Sequence, residues 1–261
     1  MPLQKIARNS VSDAVFEQLS REILEGRMPP GETLPAERAL CAVLGVNRGA
    51  VREALKRLGQ AGLVEVRHGG GATVLDFRNS AGLDMLSGLL LRSDGTVDSQ
   101  VARSVMEMRA VLGPDVARCC ALRRDEALCA RLRARMDRMR EDHADVSRMQ
   151  RHDIEFWQLL VEGADNIAYR LAYNSLRLTY ERIQDVLAQT LAAEVTDIAS
   201  HEALVEAVVC GDGDGAKRAA IELLHRGTEP MLALIEWLAR ASDPPPSERT
   251  PAHADEDVEP N

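Results

Sequence analysis

Apolar positions in the first 78 residues fall into short helical and strand-like periods. "SVSDAVFEQLSREILEGRMPPG" places Val11, Val15, Leu19 and Ile23 four residues apart, on one face of a helix. Ser10 or Ser12 is the expected cap, and Pro29, Pro30 and Gly31 stop the segment. In "TLPAERALCAVLG", Pro35 suits a first helical turn, Leu40, Val43 and Leu44 form the packing side, and Gly45 ends the helix. "VNRGAVREALKRLGQAGLV" predicts a third helix, capped by Asn47, with Val51, Leu55 and Leu58 inward. "LVEV" and "TVLDF" predict short strands around His68 and three glycines, more glycine than a tight hairpin needs. Helix, helix, turn, helix, hairpin is the order of a winged helix-turn-helix.

From residue 79 the period becomes helical throughout. Helices are expected over 81–91, 98–122, 126–144, 147–163, 166–191, 194–211 and 214–240, with Pro114 kinking the second. "SDGT", "EGADN" and "CGDGDG" are the breakers. The final "SDPPPSERTPAHADEDVEPN" is proline-rich, acidic and aperiodic, and reads as a disordered tail. The expected organisation is mostly α: a winged helix-turn-helix over 1–78, an all-α antiparallel bundle over 79–240, and the tail over 241–261.

Charge adds a partner class. The chain carries a net −9, yet residues 1–78 hold 11 Lys and Arg against 9 Asp and Glu, a net +2. Within 38–78 the count is seven basic against three acidic, a net +4. A modestly basic block on an acidic body suits a DNA-reading module. No apolar run reaches the length of a membrane span, and "MPLQKIARNS" lacks a signal-peptide core, so a cytoplasmic protein with no membrane partner is expected. Five cysteines without a CxxC pair read as reduced and structural.

Arg48, Arg52 and Lys56 recur every four residues opposite the apolar stripe of the third helix. Such a row is either a solvated face or a set of cations for the major groove, where arginine holds guanine or phosphate. Arg38 stands near the start of the preceding helix. The whole stretch "PPGETLPAERALCAVLGVNRGAVREALKRLGQAGLVEVRHGGGATV" resembles the DNA-binding region of the GntR family of bacterial transcription regulators, across some 45 residues of fixed spacing. The resemblance implies DNA contacts from Arg38, Asn47, Arg48, Gly49, Arg52 and Lys56. It also implies a wing tip, His68 and Gly69, lying in the minor groove, where glycine allows close approach. Asn47 stands where the family commonly has serine or threonine, which changes the base preference rather than the cap.

The helical remainder resembles the effector-binding FCD-type domain of the FadR-like branch, through "VMEMRAVLGPDVARCCA", "HDIEFWQLLVEGADNIAYRLAYNSLRLTYERI" and "SHEALVEAVVCGDGDGAKRAAIELLH". That branch implies an acidic effector at Arg109 and, in many members, a divalent metal held by an Asp, a His four residues on, and two later His. Here Asp153 and His201 match, but Trp157 replaces the second ligand. The fourth falls on Leu223, or on His225 if "GDGDG" hides an insertion; helix phase favours Leu223. Asp153, His201 and His225 therefore make a degraded set, and no cofactor is expected. Trp157 and Tyr180 with Arg109, Asp153 and His201 form the expected effector pocket, leaning to a fatty acyl-thioester or similar apolar acid.

The reading is a ligand-responsive, homodimeric repressor of an inverted-repeat DNA operator, with no catalytic activity. A metal-dependent sensor of a small carboxylate is the alternative. A helical metal-dependent hydrolase on Asp153, His201 and His225 is a further one, disfavoured because no nucleophile–base pair is present.

Overall fold

The computed structural model describes residues 11–67, 71–184 and 189–241. Three helices open the chain: α1 (Val11–Leu24), α2 (Glu37–Leu44) and α3 (Arg48–Gln60). Strands β1 (Val64–Arg67) and β2 (Gly71–Val74) pair antiparallel, with Val64 opposite Val74 and Arg67 opposite Gly71. Residues 31–34 add a third, irregular edge, where the Leu34 amide donates to the Ala72 carbonyl at 2.7 Å and Thr33 bridges Thr73. One core joins Val15, Leu19, Ile23, Leu34, Leu40, Val51, Leu58 and Val74. Each such buried aliphatic side chain contributes about 1.5–3 kcal/mol relative to exposure.

Local signals set the ends of these helices. Asn47 caps α3, its Oδ1 accepting from the Ala50 amide at 2.9 Å. Gly45 closes α2 in the left-handed conformation, at φ 66°. Gly62, at φ 72°, lets the turn after α3 lie against helix α4 (Phe77–Ser80). A Cβ there would collide with the Ser80 carbonyl, and the Ser80 hydroxyl donates to the Gly62 carbonyl at 2.6 Å.

After a 3₁₀ turn at Leu83–Met85 and the short α5 (Leu86–Leu90), the bundle comprises α6 (Ser99–Arg123), α7 (Glu126–Glu141), α8 (Val146–Gly163) and α9 (Ile167–Glu181). It continues with α10 (Ala192–Val195), α11 (Ile198–Cys210) and α12 (Gly213–Ala241). Helices α6 and α12 form the central pair, flanked by α11 and α8; α7 bridges α8 and α11, and α9 packs on α8 and α5. Asp or Asn side chains cap most of these helices, at Asp98, Asp125, Asp145, Asn166 and Asp197. Four of these caps are acidic and stand at helix N-termini, where the backbone dipoles favour them.

The structure corrects several sequence expectations. Val11, the first residue of α1, is exposed, and so is Val43, at 82%, because Leu40 is the one buried residue of α2. Pro35 precedes the first turn, whose cap position is Ala36. The second strand stops at Val74, since Asp76 caps α4. The 81–91 segment is helical only in short pieces. The single helix expected over 166–191 ends at Glu181, and that expected over 194–211 breaks where Asp197 caps α11. The second long helix is present as expected, with Pro114 inside it. His68, Gly69, Ser10 and the segment 242–261 lie outside the described residues.

Candidate functional site

Two regions carry the expected chemistry. On α3 the side chains of Arg48, Arg52 and Lys56 are all exposed, opposite buried Val51, Leu55 and Leu58. Asn47 and Gly49 stand at the same exposed helix start, and Arg38 is exposed on α2. Glu37, at the start of α2, accepts from Arg52 Nε at 3.0 Å and lies 3.3 Å from Arg48 Nε. One carboxylate thus gathers two of the three cations. Behind them, Arg57 stacks on Phe16, its guanidinium carbon 4.3 Å from the ring centre, and pairs with Asp13, which locks α3 to α1.

The second region is a cavity of about 150 Å³ enclosed mainly by α6, α8, α9, α10 and α12. Arg109, Asp153, Trp157 and Tyr180 line it together, with aliphatic walls from Met106, Leu224 and Met231 among others. Gly113 of α6 allows the approach of Trp157 and Leu224, because a Cβ at that position would strike Leu224. Asp115 accepts from the Tyr169 hydroxyl at 2.6 Å and from Arg118 at 2.7 Å, joining α6 to α9 beside the cavity. The Arg118 and Tyr169 hydrogen bonds push the Asp115 carboxyl down to about 2.

Charge at one end of the cavity is arranged in two pairs. Arg109 donates to Glu194 of α10, a carboxylate only 1% exposed. Burial pushes the Glu194 carboxyl above its usual range, although the Arg109 charge opposes this. His201 backs the cavity rather than lining it: it is fully buried, with Nδ1 2.7 Å from the Asp197 carbonyl and Nε2 3.1 Å from Asp153 Oδ1. Both ring nitrogens face acceptors, an arrangement that an imidazolium satisfies and a neutral ring does not. Burial alone would push His201 down, but the Asp153 hydrogen bond and charge outweigh it, and the imidazole titrates above its ordinary range.

A pH consequence follows. His201's raised folded value stabilises the fold below the ordinary histidine pKa, and that stability is lost as pH rises through the raised value. Asp153→Asn is expected to bring the His201 titration down, read by NMR of the imidazole. It should cost about 1.5–3 kcal/mol of stability at acidic pH, the worth of a hydrogen bond to a charged group.

The donor set does not fit a divalent metal. Asp153 and His201 bind one another, Trp157 offers only a ring N–H, and Leu223 is fully buried in α12 at the remaining place. His225 points away: its side chain is 66% exposed and lies 3.6 Å from Glu229. The degraded set of Asp153, His201 and His225 is therefore not assembled. Among the described residues no group of three His, Cys, Asp or Glu side chains is placed to hold a metal.

Two residues escaped the sequence reading. Glu37 belongs to the matched motif but gives no sign of its pairing. Glu194 sits in the apolar run "LAAEV", and an isolated carboxylate in such a run was the available signal. Its role as the partner of Arg109, 85 residues away, is tertiary.

Known proteins agree with this architecture. Residues 11–74 match the family described as bacterial regulatory proteins, gntR family, and residues 104–226 match the FCD domain. The HTH-type transcriptional regulator Mce2R of Mycobacterium tuberculosis is 43% identical over 235 residues, 90% of this chain and 97% of that protein. The fatty acid metabolism regulator protein of Serratia proteamaculans is 27% identical over 223 residues, 82% of this chain and 91% of that one. Among solved structures, Lar, which controls the expression of the Listeria monocytogenes agr system, aligns with a TM-score of 0.56 at 19% identity, over 88% of this chain and 100% of that chain, a likeness of fold. With both domains matched in order, the chain belongs to the GntR family of bacterial regulatory proteins, in its FCD-domain form, and is a transcription regulator.

Proposed function

We propose that this regulator is a homodimeric repressor whose grip on an inverted-repeat operator is set by an apolar acid bound in the helical domain. Arg38, Asn47, Arg48, Gly49, Arg52 and Lys56 contact DNA from α2 and α3, and His68 and Gly69 contact it from the wing. Arg109, Asp153, Trp157 and Tyr180 contact the effector, and His201 holds Asp153 in place. The observation that carries the effector reading is the cavity itself: aliphatic and aromatic walls around Arg109, with the other lining arginine, Arg177, already paired with Glu181. A pocket of that composition prefers an amphiphile with a compact anionic head and an apolar body. Its volume of about 150 Å³ suits an acyl segment of modest length better than a whole thioester carrier. The relative named as a fatty acid metabolism regulator supports the same class. Exposed Val111, Ile221 and Trp237 on α6 and α12 offer apolar surface for a second copy to cover.

The effector acts by favouring one relative pose of the two DNA-binding units, which requires only different affinities for two states. Selection from random duplex DNA should enrich a short inverted repeat. Straight-chain carboxylates of four to ten carbons should raise the melting temperature and release that DNA, with no change on adding a chelator. Enrichment of an asymmetric site, or one equivalent of tightly held metal in the purified protein, overturns the reading.

A further inference from the structure

The Arg109–Glu194 pair is poorly built for a structural role. Arginine favours a two-pronged grip on a carboxylate, yet here one prong is used. Arg109 Nη1 and Glu194 Oε2 are both buried without a hydrogen-bond partner, and so is Trp157 Nε1. Five such side-chain atoms occur among the described residues, and these three belong to residues lining one cavity. Two unused donors and a half-used carboxylate therefore belong to the lining of one apolar cavity, whose other arginine, Arg177, is taken by Glu181. A buried pair with unsatisfied atoms recovers little of its desolvation cost.

We propose that Glu194 is a resident carboxylate occupying the anion place on Arg109, so that an acidic ligand binds by displacing it. The inference rests on reading the cavity as the effector site, and it adds the element that sets selectivity and threshold there. An entering carboxylate takes both Arg109 prongs and the Trp157 indole N–H, contacts that Glu194 leaves unmade. Neutral amphiphiles have nothing with which to displace Glu194 and leave the pair closed. The groups facing Glu194 are Arg109 of α6, Asp153 of α8, Tyr180 of α9 and His201 of α11. On α12 the facing position is Gly227, and its neighbour Arg226 is engaged by Asp197 at 2.5 Å. Gly227 is part of the device: a Cβ there would strike Glu194 Oε2, so the missing side chain is what seats the carboxylate. Burial, which already pushes Glu194 toward its neutral form, eases its release once Arg109 is taken.

Calorimetric titration of the full-length protein with octanoate, and with 1-octanol as the neutral match, tests the exchange. Glu194→Gln removes the competing charge, and Gly227→Ala unseats it without touching the carboxylate. Both variants are expected to bind octanoate about tenfold more tightly than the parent. Affinity for 1-octanol should stay within about twofold, so that the preference for acid over alcohol rises. If octanoate binds the parent and both variants equally, the cavity remains an acid site and the exchange is overturned. If octanoate binds none of the three, the apolar-acid reading of the cavity fails, and the exchange fails with it. A merely structural pair predicts weaker binding in both variants, through loss of stability.

Discussion

Arg52→Ala will cost the regulator about 1–3 kcal/mol of operator affinity if the arginine reads a base, and will leave the fold untouched. Arg48→Ala should do the same, and both losses should fall on the specific site rather than on random DNA. The argument is geometric. Both side chains are exposed on the face of α3 opposite Val51, Leu55 and Leu58, so truncation opens no cavity. Their link to Glu37 is an exposed ion pair, worth at most about 1 kcal/mol, so thermal stability should move little. Glu37 has a second effect in the comparison: if the two arginines contact DNA, it has to release them. Glu37→Gln should therefore tighten non-specific DNA binding slightly while blurring discrimination, since it frees the cations but no longer aligns them. Competition gel shifts at fixed salt measure all three variants. Operator affinity unchanged in both arginine variants would remove α3 as the reading helix.

A larger loss, this time of stability, is expected from Arg109→Met. The change strips Glu194 of its cation and leaves a carboxylate 1% exposed among apolar neighbours. Breaking one partner of a buried pair costs about 3–5 kcal/mol when the survivor stays charged. Glu194 can escape part of that by taking a proton, so the penalty depends on pH. Its folded-state pKa is raised, hence the stability associated with the neutral form is present at low pH and is lost as pH rises through the raised value. Denaturant melts should show a small deficit at pH 5 that widens through neutral toward pH 8. The double variant Arg109→Met with Glu194→Leu should recover most of the loss, because an apolar pair of similar volume replaces two desolvated charges. It should no longer respond to any carboxylate. A deficit independent of pH would mean that the methionine fails by packing and not by charge.

Much of this was legible beforehand where the code is local. The three-helix-and-hairpin order followed from apolar spacing over few residues, and the Asn47 cap and Gly45 stop act within one turn. The exposed row of Arg48, Arg52 and Lys56 followed from helix phase alone. Phase also separated Leu223 from His225: two residues apart on a helix means opposite sides, and only Leu223 is buried. The FCD-type pattern implied one pocket for Arg109, Asp153 and Trp157, and all three line one cavity.

Where the pattern was longer or its partners were distant, it failed. Apolar positions recur at helical spacing from α9 through α11, so periodicity predicts long helices. Asp197, an N-cap, breaks the run, and a cap competes with helix continuation by a margin of only about 1 kcal/mol. That break leaves the four-residue α10 over the cavity and Glu194 against Arg109. Helix-forming tendency, caps and face belong to residues within a turn of one another, so the sequence by itself determined the elements and their outward and inward sides. Which buried charge meets which depends on how whole helices cross, and the two pairs here draw on four of them. Only the tertiary structure decided that Asp153 would hold His201 instead of a metal, and that Arg109 would already have a carboxylate in its grip.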